Sequence, residues 1–209
     1  MSETPRTRHF SMIRNFHLAD FFTLANGGGG TAAVFFSMDH VREAGVHKLY
    51  AAGFAIVCAL FFDVMDGRVA RWRHRASPMG RELDSLADVI SFGVAPAALA
   101  FAFGFTGLFD AAVLLFFVAC GISRLARYNI TAESLSAATG KVTYFEGTPI
   151  TTSVLLVGLL AALAAAGRHG PHIPLGVVAL GPWDLHPLVL LFALSGSLMI
   201  SKTLHIPKP

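Results

Sequence analysis

Charged residues are scarce in this sequence. Asp, Glu, Lys and Arg make up 14% of its 209 residues, whereas soluble domains carry about 25%. The apolar share is 54%, and the few charges gather between long apolar runs. This distribution is typical of a protein that crosses a membrane several times, and it argues against a soluble enzyme with one large core. The length predicts a single domain over residues 1–209.

Three further features are missing or rare. The two cysteines, Cys58 and Cys120, each stand alone in an apolar run and predict small buried side chains rather than a paired site. No basic patch is interleaved with aromatic residues, so the net charge of +3 does not indicate a nucleic-acid partner. A cleavable signal peptide is not expected, because Asp20 and Asn26 interrupt the first apolar run.

The apolar runs predict an all-α membrane protein with six transmembrane helices. Each run is near the length that a bilayer core requires, and the predicted spans are about 20–38, 47–72, 79–105, 109–129, 149–167 and 186–204. The pairs Ser77-Pro78 and Thr148-Pro149 predict an N-cap and first turn for the third and fifth spans. Residues 8–19 alternate basic and apolar positions at helical spacing. They predict an amphipathic helix at the membrane surface, with a disordered basic tail as the alternative.

The basic residues predict the orientation of these spans, because Lys and Arg concentrate in cytoplasmic loops. Three lie on one side: Arg42, Lys48 and Arg168. Thirteen lie on the other: Arg6, Arg8, Arg14, Arg68, Arg71, Arg73, Arg75, Arg81, Arg124, Arg127, Lys141, Lys202 and Lys208. Both termini and the loop after the second span are therefore expected in the cytoplasm, with the protein as a multi-pass component of the cell's inner membrane.

Four aspartates stand inside the second and third apolar runs. With about 100° of turn per residue, Asp63 and Asp66 share a helical face with Gly67 and Ala70. Asp84 and Asp88 are one turn apart and share a face with Gly80. Antiparallel packing through a short loop would bring the two faces together. The pattern therefore predicts a cage of four carboxylates beside a space cleared by small residues.

Ionised carboxylates at membrane depth are costly and repel one another, and a divalent metal relieves both problems. Ligation by oxygen alone favours Mg²⁺, Mn²⁺ or Ca²⁺ over Zn²⁺. Two ions about 3.5–4 Å apart would suit phosphoryl-type chemistry. Two alternatives stay open on spacing alone: an internal ion-pair network with Arg68, Arg71 or Arg81, and a carboxylate-lined cation transporter.

The same stretch carries a resemblance to a known family. Asp63-x2-Asp66-Gly67-x2-Ala70-Arg71-x8-Gly80-x3-Asp84-x3-Asp88 resembles the CDP-alcohol phosphotransferase signature at every fixed position. The resemblance implies an integral membrane enzyme that transfers a phosphatidyl or related group from a CDP-linked donor to an alcohol and releases CMP. It also implies a homodimer.

What the resemblance implies for single residues fits the predicted cage. Two ions, Mg²⁺ or Mn²⁺, would be held by the aspartates, with Asp88 completing the second metal site and acting as the general base toward the acceptor hydroxyl. The metal ligands would be Asp63, Asp66, Asp84 and Asp88. The cytidine nucleotide would be bordered by Asp66, Gly67, Ala70, Arg71 and Gly80.

Three other stretches are similar to the phosphatidylserine synthase branch of this family: DSLADVISFGVAPA, SRLARYN and YFEGTPITTS. This resemblance implies CDP-diacylglycerol and L-serine as substrates. The chain departs from the branch at Ala19-Asp20, where a Pro-Asn pair is common, and at Thr151-Thr152, where a second proline is common. The alternatives are another acceptor, such as inositol phosphate or glycerol phosphate, and an archaeal ether-lipid donor.

The remaining candidates are polar residues near the predicted cage. Arg124, Arg127 and Asn129 are candidates for binding the serine carboxylate or the lipid phosphate, since an arginine fork matches either group. A positive-inside anchor is the alternative for the arginines. Thr23 and Asn26, one turn apart, are candidates for reaching the site.

Two further features lie close to these candidates in the sequence. Lys141 and Glu146 are additional candidates for positioning the amino acid. The run NGGGG at residues 26–30 indicates close helix packing or a local opening in the first span near the nucleotide, because no strand precedes it and no Gly-Lys-Ser/Thr follows it. Neither dinucleotide binding nor a phosphate-binding loop is therefore expected there.

Overall fold

The computed structural model describes residues 18–73, 78–137, 144–181, 183–201 and 205–207. Helices dominate this part of the chain. They are α1 (Leu18–Glu43), α2 (Val46–Arg73), α3 (Pro78–Asp88), α4 (Ala95–Phe103), α5 (Leu108–Ala137), α6 (Ser153–Ala165) and α7 (Leu190–Ile200). A π-helical turn, Val89–Val94, joins α3 to α4, so these three elements form one continuous rod over the third predicted span. The prediction of a mainly helical chain is confirmed, whereas the number of membrane-crossing helices stays a prediction.

Three helical stretches are long and apolar enough to cross a membrane: Val46–Val69, Met79–Phe103 and Leu108–Ile130. Two shorter apolar helices, Ile150–Ala165 and Pro187–Ile200, match the fifth and sixth predicted spans. Helix α1 is long, but its glycines and polar residues lower its hydropathy. Large apolar side chains face outward on the bundle, with Phe54, Leu115 and Leu155 exposed by 69%, 71% and 77%. Such a surface indicates a membrane protein. The predicted helix at 8–19 falls mostly on residues outside the described part.

Small residues explain how α1 packs against its neighbours. A Cβ atom added at Gly29 would lie 3.1 Å from both the Ala55 carbonyl oxygen and the Ala59 Cβ on α2. One added at Gly30 would meet the Ser91 Oγ of the π-helical turn at 2.5 Å. Glycine at both positions therefore lets α1 approach α2 and the π-helical turn closely. The prediction of close helix packing for the NGGGG run is confirmed.

The centre of the bundle is filled by aromatic side chains from several elements. Phe92, Phe103, Phe117 and Phe192 are at most 2% exposed, and Phe105 joins them from the loop after α4. The Phe117 and Phe192 rings meet edge to face at 5.3 Å between centroids, a favourable arrangement for aromatic pairs.

Both cysteines are free, as the sequence predicts. Cys120 is buried beside the aromatic cluster, whereas Cys58 on α2 is only partly buried. The prediction of a buried side chain is therefore met fully at Cys120 and in part at Cys58.

The start of the fifth helix differs from the prediction. Helix α6 begins at Ser153 after a 3₁₀ turn, Ile150–Thr152, and Thr148 makes no cap. Instead, the Thr152 hydroxyl donates to the Pro149 carbonyl oxygen at 2.7 Å. Pro149 has a ψ angle of 147°, which is extended rather than helical. The chain therefore turns into the bundle before the α-helix starts.

The start of the third span can be compared with its prediction only in part. Helix α3 begins at Pro78, which agrees with proline in the first helical turn. The predicted N-cap, Ser77, lies outside the described residues.

Four short strands were not predicted from the sequence. Strand β1 (Tyr144–Glu146) pairs antiparallel with β4 (His205–Pro207), and β2 (Val178–Leu180) pairs antiparallel with β3 (Trp183–Leu185). Each has only three residues, too few to show an alternating pattern. The β1–β4 pair ties the end of the chain to the segment before α6.

Several charged groups at the end of the bundle where α1 meets α2 are paired. Lys48 is 8% exposed, and its Nζ lies 2.8 Å from an Asp39 carboxylate oxygen and also contacts Glu43. Asp110, fully buried at the start of α5, accepts hydrogen bonds from the Gly107 and His186 backbone N–H groups at 3.0 and 2.8 Å. Its Oδ2 also lies 2.6 Å from the His186 Nδ1. These acidic groups therefore have partners supplied by the chain.

Candidate metal and nucleotide site

The opposite end of the bundle brings together aspartates from α2 and α3. Asp63 and Asp66 lie one turn apart on α2, and Asp84 lies on α3. One carboxylate oxygen from each of the three comes within 4.8 Å of the others. Asp66 is 7% exposed and the other two are partly buried. The two faces expected from the helical spacing therefore meet.

Asp88 ends α3 one turn beyond Asp84 and has a partner of its own. Its side chain is 9% exposed, and its Oδ1 accepts a hydrogen bond from the Asn26 Nδ2 at 3.1 Å. The group of three carboxylates does not include it. The role of Asp88 as a ligand of a second metal therefore stays a prediction. Its position on α3, one turn after Asp84, places it next to the three clustered aspartates.

Helix α1 lines the site with two buried polar side chains. The Thr23 hydroxyl, 3% exposed, lies 3.0 Å from Asp66 Oδ2 and donates to it. Asn26, three residues later and fully buried, holds Asp88. The Ser91 hydroxyl donates to the Asn26 carbonyl oxygen at 2.8 Å. The expectation that Thr23 and Asn26 reach the site is therefore met, and both touch aspartates directly.

Several buried polar atoms at this end have no hydrogen-bond partner within the described residues. They are Asn26 Oδ1, Asp84 Oδ1, Arg124 Nε, Thr148 Oγ1 and Ser153 Oγ. Buried polar groups are normally paired, so each such atom calls for an explanation. Unmatched donors and acceptors at one end of a bundle are what a site for a polar ligand requires.

The donor set fits a hard divalent cation. Carboxylate oxygens are the ligands that Mg²⁺ and Mn²⁺ prefer, and the buried Asp84 Oδ1 is an acceptor without a donor in the described part of the chain. Three carboxylates this close repel one another when ionised, and a bound cation removes that cost. The arginine network considered from the sequence lacks support. Among the described residues, no ion pair joins Arg68 or Arg81 to an aspartate, and both arginines are exposed.

The predicted nucleotide border can be located in part. Gly67 follows Asp66 on α2, Gly80 lies one turn before Asp84 on α3, and both are partly buried. The backbone of α2 continues through Ala70 and Arg71, but their side chains lie outside the described residues. The two glycines therefore lie close to the aspartates along their helices, and the nucleotide border stays a prediction.

The three acceptor candidates on α5 differ from one another. Arg124 is partly buried, and its charge interacts with that of Asp88. Arg127 is exposed. Asn129 exchanges hydrogen bonds with Ser85 at 3.0 and 3.2 Å, so its amide links α5 to α3. The side chains of the additional candidates Lys141 and Glu146 lie outside the described residues.

Sequence reasoning missed four polar residues of this end: Ser85, Ser91, Thr148 and Ser153. Ser91 could have been found, because it follows Asp88 by three residues and so shares its helical face. Thr148 and Ser153 belong to the YFEGTPITTS stretch, which was used only for its resemblance and for a helix start. Their contribution depends on how the chain enters the bundle before α6, and no local pattern predicts that.

Comparisons with known proteins agree with this geometry. A family model described as CDP-alcohol phosphatidyltransferase matches residues 16–195. The chain belongs to this family. It is 46% identical over 209 residues to the CDP-diacylglycerol–serine O-phosphatidyltransferase of Saccharomyces cerevisiae, covering 99% of this chain and 76% of the yeast protein.

Bacterial relatives with the same name match shorter stretches. The Helicobacter pylori protein is 39% identical over 134 residues, which is 63% of this chain and 54% of that protein. The Bacillus subtilis protein is 38% identical over 103 residues, or 48% of this chain and 58% of that protein. The chain thus spans a little over half the length of these bacterial relatives.

Proposed function

We propose that this chain transfers the phosphatidyl group of CDP-diacylglycerol to the hydroxyl of L-serine, giving phosphatidylserine and CMP. The observation that carries the proposal is the meeting of Asp63, Asp66 and Asp84 within 4.8 Å, in the motif of a family to which the chain belongs. The serine acceptor rests on the name of a relative that is 46% identical over 99% of the chain.

The proposed membrane arrangement has six spans, an amphipathic surface helix at 8–19, and the site and both termini in the cytoplasm. The apolar outer surface and the three long apolar helices support the spans. The excess of Lys and Arg at the end that holds the aspartates supports the orientation. The inner membrane and a homodimer are part of the same proposal, and they rest on the resemblance.

Asp63, Asp66 and Asp84 would hold the divalent metal, Mg²⁺ or Mn²⁺, and Asp88 would join them if a second ion binds. When bound, the metal neutralises charge on the pyrophosphate and on the departing CMP. The Thr23 hydroxyl fixes the rotamer of Asp66 by donating to its Oδ2. Asp66, Gly67, Ala70, Arg71 and Gly80 would border the cytidine nucleotide.

Asp88 is the proposed general base. Asn26 holds its Oδ1, which leaves Oδ2 to take the proton from the serine hydroxyl as that oxygen attacks the β-phosphorus of the donor. A new P–O bond forms to serine, the bond from that phosphorus to the bridging oxygen breaks, and CMP leaves with the electron pair. Asp88 then passes the proton to water, and no covalent enzyme intermediate is needed.

Arg124, Arg127 and Asn129 are proposed to bind the acceptor carboxylate or the lipid phosphate. Arg124 has the strongest support, since its Nε is a buried donor without a partner among the described residues and its charge interacts with that of Asp88. Asn129 would act through Ser85, because its amide is already committed to that hydroxyl.

An acceptor screen with the purified protein tests this function. CMP release from CDP-diacylglycerol would be measured in mixed micelles with L-serine, inositol phosphate, glycerol phosphate or choline, with Mg²⁺ or Mn²⁺ present. We expect release with serine and little with the others. Preference for another acceptor would move the chain to a different branch of the family. No CMP release with any acceptor, together with ion movement into sealed vesicles, would favour a cation transporter.

A further inference from the structure

Only one of the two polar atoms of the Asn26 side chain has a hydrogen-bond partner among the described residues. It is fully buried, and its Nδ2 donates to Asp88 Oδ1 at 3.1 Å. Its Oδ1 is buried as well and has no partner within the described residues. In its proposed role as general base Asp88 is ionised and only accepts hydrogen bonds, so the NH₂ group of Asn26 faces it and the amide oxygen is left for another donor. The orientation of the unmatched acceptor is therefore set by chemistry.

Contacts of the backbone near Asn26 restrict the movements that could bring its side-chain oxygen to a donor within the protein. The Ser91 hydroxyl donates to the Asn26 carbonyl oxygen at 2.8 Å. Gly30, one turn later, has no room for a Cβ beside Ser91. Because Ser91 belongs to the π-helical turn that starts directly after Asp88, the same contacts fix Asn26 and Asp88 relative to each other. The amide oxygen is thus held in place beside the proposed base.

An unmatched donor accompanies this unmatched acceptor. Arg124 Nε is buried without a partner in the part of the chain that the structure describes, and the Arg124 charge interacts with that of Asp88. Asp88 therefore has two neighbours with complementary needs: an oxygen that lacks a donor and an N–H that lacks an acceptor. An amino acid that carries a hydroxyl offers an ammonium for the first, a carboxylate for the second, and its hydroxyl for Asp88.

We propose that Asn26 Oδ1 accepts a hydrogen bond from the ammonium group of the acceptor, so that Asn26 selects alcohols with an amino group on the neighbouring carbon. This rests on the proposed transfer to serine and extends it to a specificity-determining residue. An amide suits the task because it binds an ammonium without adding a further negative charge to the aspartates. Its NH₂ group meanwhile keeps Asp88 in the orientation needed for proton transfer.

The test compares L-serine with 3-hydroxypropionate, which differs from serine only by lacking the amino group. The value of kcat/KM would be measured for both acceptors in the unaltered protein and in Asn26→Leu, at saturating metal. We expect the unaltered protein to prefer serine by about 100-fold or more, since a site built to bind an N–H group rejects an analogue without it. In Asn26→Leu this preference should fall at least about tenfold. The rate with 3-hydroxypropionate should fall less than the rate with serine.

Two further variants separate selection from positioning. Asn26→Asp keeps acceptor oxygens but loses the donor to Asp88, so the preference for serine should survive while kcat falls. Thr23→Val is the matched control, because Thr23 is also buried on α1 and touches Asp66 instead. It should leave the ratio of the two rates unchanged. If Asn26→Leu also lowers both rates equally, Asn26 only positions Asp88 and the inference is wrong.

Different results would contradict the role of Asn26 and the proposed transfer to serine. If the unaltered protein releases no CMP with serine, the proposed function fails first. If serine is a substrate and the preference is unchanged in Asn26→Leu, only the role of Asn26 fails. Binding of CDP-diacylglycerol and elution as a single species would confirm that the variant is folded. If Asn26→Leu does not fold, Asn26→Ala removes the same oxygen and carries the same expectation.

Discussion

The two ends of the helical bundle treat acidic side chains in opposite ways. At one end, Asp110 is fully buried and receives two backbone N–H groups and the His186 ring. At the other end, Asp63, Asp66 and Asp84 crowd within 4.8 Å, and a buried oxygen of Asp84 has no donor in the described part of the chain. A carboxylate with partners from its own chain holds the fold together. Among the three crowded aspartates Asp66 has one such partner, Thr23, but no cationic side chain pairs with them among the described residues, and here we propose a metal cation.

The largest effect on activity is expected from removal of the metal, because it acts only at the end of the bundle where the aspartates crowd together. With excess chelator we expect CMP release to fall to background, because the crowded carboxylates then repel both one another and the donor pyrophosphate. Adding Mg²⁺ or Mn²⁺ back should restore it. The measurement is CMP release from CDP-diacylglycerol with serine. Turnover that continues in the chelator would rule out the metal site.

Asp88→Asn is expected to have the next largest effect on rate. The amide cannot take the acceptor proton, so transfer should fall by about 10²–10⁴-fold, while CDP-diacylglycerol should still bind. The unfolding temperature should not fall, because the change removes a charge from a repelling cluster. Full activity in this variant would exclude Asp88 as the base.

Thr23→Val should weaken the metal site without removing it. Loss of the hydroxyl that holds Asp66 Oδ2 should raise the metal concentration for half-maximal rate by about 10–100-fold, as for other residues that orient metal ligands. Thr31→Val is the control, since the Thr31 hydroxyl donates at 2.9 Å to the Gly27 carbonyl oxygen of its own helix. An equal effect of the two substitutions would show that helix stability, and not Asp66, is responsible.

Asp110→Asn makes the same chemical change as Asp88→Asn at the paired end, and we expect the reverse outcome. One donor near Asp110 would lose its acceptor, at a cost of about 2 kcal/mol. The unfolding temperature in detergent should drop by about 5 °C, while kcat of the folded protein stays unchanged. Loss of activity without loss of stability would mean that the two ends are not distinct in the way described.

The smallest effect is expected at the exposed partner of Lys48. The hydrogen bond from Lys48 lowers the pKa of Asp39 below its ordinary value of 3.8. A lowered pKa means that ionised Asp39 stabilises the fold above pH 3.8, and that this contribution disappears as the pH falls through the lowered value. Asp39→Asn should therefore lower the unfolding temperature slightly at neutral pH. The difference from the unaltered protein should shrink in acid, and a difference that persists there would contradict the assignment.

The sequence predicts the clustered aspartates better than it predicts the long-range hydrogen bonds that position acidic side chains. Asp63, Asp66 and Asp84 could be placed together because helical spacing and a short connection are local properties. The Asn26–Asp88 hydrogen bond joins residues 62 apart in the chain, and its geometry depends on a π-helical turn that no periodicity marks. The Asp110–His186 pair, 76 residues apart, could not be predicted either. Scattered histidines show no pattern until the starts of α5 and α7 are brought together.

The two short apolar helices have a consequence for the surrounding lipid. Ile150–Ala165 and Pro187–Ile200 rise about 1.5 Å per residue, which gives lengths of roughly 24 and 21 Å, whereas a hydrocarbon core is about 30 Å thick. If both cross the membrane, as proposed, local thinning of the bilayer is one way to accommodate their short length. Where the bilayer is thinner, lipid headgroups beside these two helices would lie closer to the middle of the membrane. A donor lipid beside these two helices would then need a smaller displacement along the membrane normal to bring its pyrophosphate to the aspartates.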